Sequence, residues 1–425
     1  MTAPPHPIER SVLPNGLVVI TEPMPHVRSV SVGVWIGNGS RREPDGLNGL
    51  AHFIEHMVFK GTERRSAEDI AREADSLGGA LDAFTTKETV CFTTKVLDEH
   101  LPVAFDILAD LALRPRFDPV EIGREKTVVL EEMKMDEDNP ESLVHDLFTL
   151  RFWPGHPLGR PILGTRDTVT SFTRDIIERY YRDWFAPNHM VITAAGNLEH
   201  ARLVALVDRE FGSRSASPNG VADTTPQAAA EVTLRSKSEL EQVHITIGVP
   251  AFPVADPRRY AVRLLNTVLG DGMASRLFQQ IRERLGLAYA VFSEVSPFVD
   301  TGVLSVYVGT SPENAEQVVR LVAEEFASLR REGITTEELR RGKDQLKGAL
   351  MLSLESTGAR MSNLARQEVY FHRFFTLDEI LALVEGVTRE DVQAVAAEFF
   401  RPEHIAVTVL GDLNGFTLRR EHLAG

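Results

Sequence analysis

With 425 residues, 43% of them hydrophobic and 25% charged, the chain has material for more than one core and is not fibrous, low-complexity or wholly disordered. Its 46 Lys and Arg against 61 Asp and Glu leave a net charge of −15, which argues against nucleic acid and suits cationic partners. The single cysteine, Cys91, cannot form an intrachain disulfide, so no oxidising compartment is required.

The N-terminus shows neither a basic region followed by an apolar run nor an Arg-rich amphipathic stretch, and no segment has the roughly 18 apolar residues of a membrane span. A cytoplasmic location is expected. From Val27, VRSVSVGVWIG alternates with period two and predicts a half-buried strand. LNGLAHFIEHMVFKGT then reads as a helix of about three turns, capped by Asn48 and stopped by Gly61.

That helix carries His52, Glu55 and His56. At about 100° per residue, positions four apart differ by roughly 40°, so both imidazoles share a face with the bite of a single metal ion. Glu55 lies on the adjoining face, within reach of a metal-activated water without being a ligand. The order H-x-x-E-H inverts the better-known H-E-x-x-H zinc motif. Two imidazoles make half of a catalytic site, and a third ligand is needed.

After the hairpin-like run LDAFTTKETVCFTTKVL from Leu81, the segment FDPVEIGREKTVVLEEM from Phe117 predicts a long helix. Its Glu132 shares a stripe with Val129, Val128 and Glu125, whereas Glu131 falls with Thr127 and Arg124 on a solvated face. Inward carboxylates need a cation or donors, which a metal held by Glu132, with Glu125 orienting a His behind it, would supply.

Phe185, Pro187, His189, Thr193, Gly196 and Leu198 recur as Phe400, Pro402, His404, Thr408, Gly411 and Leu413, all at an offset of 215. The Val27 strand matches EQVHITIGVPA from Glu241 at 214, and the Phe117 helix matches ITTEELRRGKDQLKGAL from Ile334 at 217. The chain therefore reads as two copies of one α+β unit with largely antiparallel sheets. The expected domains are 1–212, carrying the metal set, and 231–425, with a Ser/Ala/Pro/Thr-rich linker over 213–230. The second copy has Ala349 where the first has Glu132, and no His in PRRYAVRLLNTVLG from Pro257, so the metal set is not a requirement of the repeat.

HFIEH followed by VVLEEM resembles the inverzincin peptidases of the pitrilysin family, in particular the mitochondrial processing peptidase beta subunits and their bacterial relatives of this length. The likeness runs from LPNGLVVI at Leu13 to the final LGDL. It implies a processing-peptidase-like fold forming half of a clamshell, and a zinc endopeptidase holding one Zn²⁺ per chain on His52, His56 and Glu132. Glu55 is then the general base and Glu125 the accessory catalytic carboxylate. The resemblance also assigns Arg282 and Tyr289 of RERLGLAY to substrate, although the residues alone read as a surface charge and a strand core. It makes ALDAFT an edge strand in which Ala80, Leu81, Asp82, Ala83 and Phe84 pair with peptide substrates, with Asp82 and Phe84 standing where relatives often have Asn and Tyr. The expected assembly is a homodimer or a heterodimer with an inactive homologue. A non-catalytic assembly subunit and a purely structural metal site are the competing readings.

Overall fold

The computed structural model describes residues 8–217, 224–413 and 415–423, so 218–223 of the expected linker lie outside the described residues. Two compact units share the chain. One comprises 8–134, 160–217 and 352–374; the other comprises 135–159, 224–351 and the described residues from 375 onward.

The first unit holds a six-stranded sheet of β1 (Glu9–Val12), β2 (Val18–Pro23), β3 (Ser29–Ile36), β4 (Ala80–Thr85), β5 (Val90–Leu97) and β6 (Met190–Gly196). Their order is β1-β2-β6-β3-β5-β4, antiparallel except for the β2–β6 pair. In the second unit, β7 (Val232–Ser236), β8 (Val243–Ala251), β9 (Ala288–Pro297), β10 (Gly302–Thr310) and β11 (Ala406–Gly411) form the order β7-β11-β8-β10-β9, with only β7–β11 parallel. The α+β class with two helix-packed sheets is as the sequence indicates.

Strand registers refine the repeat. Thr193 pairs with Gly33, and its counterpart Thr408 pairs with Thr246, so Gly33 corresponds to Thr246 at an offset of 213. The strand match read from sequence at 214 is one residue out, a slip that would turn every side chain to the other face. The alternation carries the same signal, since Val30, Val32 and Val34 fall on Val243, Ile245 and Ile247 at 213 and on His244, Thr246 and Gly248 at 214.

β3 is covered on both faces. Seven of its eight residues are buried, against the half-buried expectation. The cause is packing on both faces, by α3 (Leu101–Leu113), which follows α1 (Leu50–Val58) and α2 (Ala67–Ser76) in the chain, and by the helix Thr357–Phe371. The latter is tied down by the Ser31–Thr357 hydroxyl pair at 2.9 Å and by Thr193 Oγ1 donating to the Met361 carbonyl at 3.0 Å. A Cβ at Gly33 would stand 2.7 Å from Met361 Sδ, so glycine sets how closely this helix approaches. In the second unit α5 (Pro140–Phe152), which follows α4 (Pro119–Asp138), covers β8 in the same manner, with Phe148 against Gly248. Each unit thus includes a helix contributed by the other half of the sequence.

Candidate metal centre

α1 begins at Gly49, whose φ of +92° and 2.5 Å Cβ approach to the Leu163 carbonyl leave room only for glycine. The expected Asn48 cap is displaced: Gly49 is the N-cap and no side chain caps from that position. The free N–H groups are met from outside the helix by Glu43, whose carboxylate accepts from Gly49 N at 2.8 Å, Ala51 N at 2.7 Å and Asn48 Nδ2 at 3.2 Å. Burial pushes the Glu43 carboxyl up to about 7, against the lowering effect of those donors. The folded chain then holds this proton more tightly than the unfolded chain. Its contribution to stability is fully present below the ordinary carboxyl range and is lost as pH rises toward about 7. Urea titrations between pH 5 and 8 should show stability falling by on the order of 1–3 kcal/mol over that window, a slope that Glu43→Gln removes.

The one-turn spacing on α1 brings its two imidazoles together. The His52 and His56 rings lie 4.5 Å apart, and Glu132 from α4 brings Oε2 to 3.7 Å from His52 Nε2 and 3.6 Å from His56 Nε2. Zinc bound tetrahedrally at about 2.1 Å separates its ligands by roughly 3.4 Å. Two imidazole nitrogens and one carboxylate oxygen at these separations fit a single zinc ion, and among the described residues no other His/Cys/Asp/Glu group is so disposed.

Each remaining acidic side chain has a distinct environment. Glu125 is buried and accepts at Oε1 from His56 Nδ1 at 2.8 Å, while Lys60 Nζ lies 2.7 Å from its Oε2. Burial would raise the Glu125 carboxyl, but these two hydrogen bonds outweigh it and hold the group below its ordinary range. Glu55 is not in the ligand cluster; its Oε2 accepts from Thr85 Oγ1 at 2.6 Å, and burial leaves its carboxyl raised despite that bond. Burial and the neighbouring His56 push His52 down to about 4, which keeps the imidazole neutral and ligand-ready. His56 is pulled down by burial but ends raised, because Glu125 and the charges of Glu132 and Glu55 prevail. His52 Nδ1 has no hydrogen-bond partner among the described residues, so only the second imidazole is oriented through its far nitrogen.

The stripe read along α4 needs one correction. Val128 is 47% exposed, while Glu125 and Val129 are buried and Glu131 is exposed. The apolar face is narrower than a four-residue grouping implies because α4 packs against the unit through the Ile122–Glu125–Val129 line. Sequence reasoning passed over Glu43, Lys60 and Thr85. Lys60 stands four residues beyond His56, a spacing that could have revealed it; Thr85 alternates with Ala83 and Leu81 toward α1; nothing local marks Glu43.

Comparison with known proteins decides the lineage. The family described as "Insulinase (Peptidase family M16)" matches residues 18–166, and "Peptidase M16 inactive domain" matches 171–346. An uncharacterized zinc protease of Bacillus subtilis is 43% identical over 93% of this chain and 97% of its own length. Another, of Streptomyces coelicolor, is 39% identical over 98% of this chain and 92% of its own. The chain belongs to the M16 peptidase family.

This is the pitrilysin-type family indicated by the motif. Among solved structures, a protease of Helicobacter pylori superposes with a TM-score of 0.89 at 22% identity, covering 95% of this chain and 99% of that one. An M16 inactive domain from Pseudomonas fluorescens gives 0.89 at 20%, covering 95% and 98%. At these identities the likeness is one of M16 fold. The "inactive domain" match begins before the linker and ends at residue 346, within the helix Thr336–Ser353, so it takes in Gly342 at the Glu125 position and stops short of Ala349 at the Glu132 position.

The M16 second repeat places Arg282 in a π-helical turn, Phe278–Arg284, and Tyr289 on β9. Tyr289 is 77% exposed, which overturns its reading as a strand core; β9 is an edge strand and the phenol projects off it. The Arg282 guanidinium lies 4.6 Å from the Tyr289 ring centroid and 4.8 Å from that of Phe278, so the two residues form one exposed cation–π group. In the first unit, β4 bonds only to β5 and is the sheet's edge. Along it Ala80, Asp82 and Phe84 are exposed, while Leu81, Ala83 and Thr85 are partly covered. Cys91, on β5, is buried, and burial pushes its thiol far up, consistent with an inert core residue.

Proposed function

We propose that this M16 chain is a zinc-dependent endopeptidase that hydrolyses short or unfolded peptides in an enclosed chamber, with Glu55 as general base. The observation that carries the reading is the convergence of His52 Nε2, His56 Nε2 and Glu132 Oε2 beside an unligated Glu55. The names of the bacterial relatives as zinc proteases support it.

Zinc, when held by His52, His56 and Glu132, would supply a Lewis acid for the scissile carbonyl and acidify water in the open coordination position. Glu55 is the group that would take a proton from an attacking water as the water oxygen adds to the carbonyl carbon, and would give it to the departing amine nitrogen as the C–N bond breaks. Thr85 holds Glu55 Oε2, leaving the other carboxylate oxygen for the proton. Glu125 keeps His56 oriented. Arg282 and Tyr289 are donors suited to an oxyanion or a peptide carbonyl. The β4 edge suits an added peptide strand, with side-chain preference set by Asp82 and Phe84 between Ala80 and Thr85.

The proposed assembly is a homodimer of clamshell halves, since one chain carries both the zinc set and the Arg/Tyr pair; an inactive homologue is the alternative partner. A cytoplasmic location is proposed, and no helix among the described residues is long and apolar enough to cross a membrane. The direct test is cleavage of a basic, unstructured reporter peptide by the zinc-loaded protein. A site on the edge strand predicts a separate effect: Phe84, 40% exposed and edge-on to Trp35 at 5.7 Å, can contact bound peptide. Phe84→Ala should raise KM about 3- to 10-fold with kcat nearly unchanged, as loss of uniform binding requires.

A further inference from the structure

α1 does more than present two imidazoles. Continuing its four-residue spacing past His52 and His56 leads to Lys60, in the turn that ends the helix, where Lys60 N donates to the Met57 carbonyl and Gly61 takes a φ of +114°. α4 faces this row with two carboxylates seven residues apart. Glu132 meets both imidazoles, and Glu125 meets His56 and Lys60.

The geometry points to Lys60 as a positioning residue for the metal centre: its ammonium grips one oxygen of Glu125 so that the other stays turned to His56 Nδ1, leaving His56 Nε2 as the unprotonated donor. This inference rests on the zinc reading of the same site. Glu125 has a side chain only 3% exposed, and its two oxygens have one partner each, His56 Nδ1 at 2.8 Å and Lys60 Nζ at 2.7 Å. A carboxylate buried with a single partner is costly and free to rotate. A rotated Glu125 no longer commits the Nδ1 hydrogen of His56, and the ring loses the constraint that aims Nε2 at Glu132. The Lys60 side chain, 33% exposed, keeps contact with solvent, so its own desolvation is small. Among the described residues His52 has no equivalent support at Nδ1. Orientation of the imidazole pair from behind therefore runs through the Lys60–Glu125–His56 chain.

A purely structural ion pair would stabilise the fold without tuning the metal, and zinc affinity separates the two roles. Dissociation constants would be measured on the full chain by competition with a fluorescent chelator, beside the melting temperature of the metal-free protein. Lys60→Met, which keeps the apolar stem, should weaken zinc about tenfold, and Lys60→Arg should stay within about threefold of the wild type. In the Glu125→Gln background, Lys60→Met should have no further effect on zinc, because the group it positions is already gone. Should Lys60→Met fail to fold, Lys60→Gln is measured in its place with the same expectation. Unchanged zinc affinity with a lowered metal-free melting temperature overturns the inference, as does full additivity with Glu125→Gln or failure of Lys60→Arg to rescue. A wild type that takes up no zinc overturns the zinc reading together with the inference, whereas zinc bound normally by both wild type and Lys60→Met overturns the inference alone.

Discussion

Glu55→Gln is expected to lower kcat for a reporter peptide by about 10²- to 10⁴-fold while leaving bound zinc unchanged. The carboxylate is held by Thr85 at 2.6 Å and stands outside the cluster of His52, His56 and Glu132, so an amide there alters proton transfer and not coordination. Gln also matches Glu in size at a position where burial already disfavours the charged form, so the fold should tolerate the exchange. Metal content by elemental analysis and activity on the same samples check the two halves of this expectation. Activity retained within a few-fold would move the base elsewhere. Zinc lost together with activity would make Glu55 a ligand, contrary to its separation from the cluster.

The part of this site that was legible in the sequence is the part written in helix periodicity. His52 and His56 meet because four residues are nearly one turn, and Glu125 and Glu132 face the same neighbour because seven are nearly two. The repeat was legible for a different reason: its Thr193 and Thr408 segments are short, gap-free strands that keep one offset. What stayed hidden depends on contacts between elements distant in sequence. Glu43 acts on the start of α1 through a loop, a role any buried acid could take, and no local pattern announces it. β3 is buried on both faces because a helix more than 300 residues later covers one of them, so its period-two alternation overstated its exposure. Without the family resemblance Tyr289 reads as core, because an aromatic residue in an apolar run is usually buried, and only the sheet order shows that β9 is an edge.

Removing ligands should produce graded losses that follow each side chain's distance from the metal. Glu132→Ala is expected to weaken zinc by more than about 10³-fold and to abolish peptide cleavage, because it deletes one of three donors and leaves two imidazoles that lack a charge-neutralising partner. Glu125→Gln, which touches only the far nitrogen of His56, should cost about 10- to 100-fold in affinity. Stability gives an independent readout, since a ligand bound only by the folded state adds about 4 kcal/mol at a thousandfold excess over its dissociation constant. Chelation should therefore lower the melting temperature of the wild type and leave that of Glu132→Ala unmoved. The second repeat supplies a control. Ala349→Glu restores a carboxylate at the position equivalent to Glu132, yet the helix Arg259–Leu269 has no histidine to meet it, so zinc stoichiometry should not rise. A gain of zinc there would show that a carboxylate alone recruits the ion and would undo the assignment of binding to the His52, His56 and Glu132 constellation.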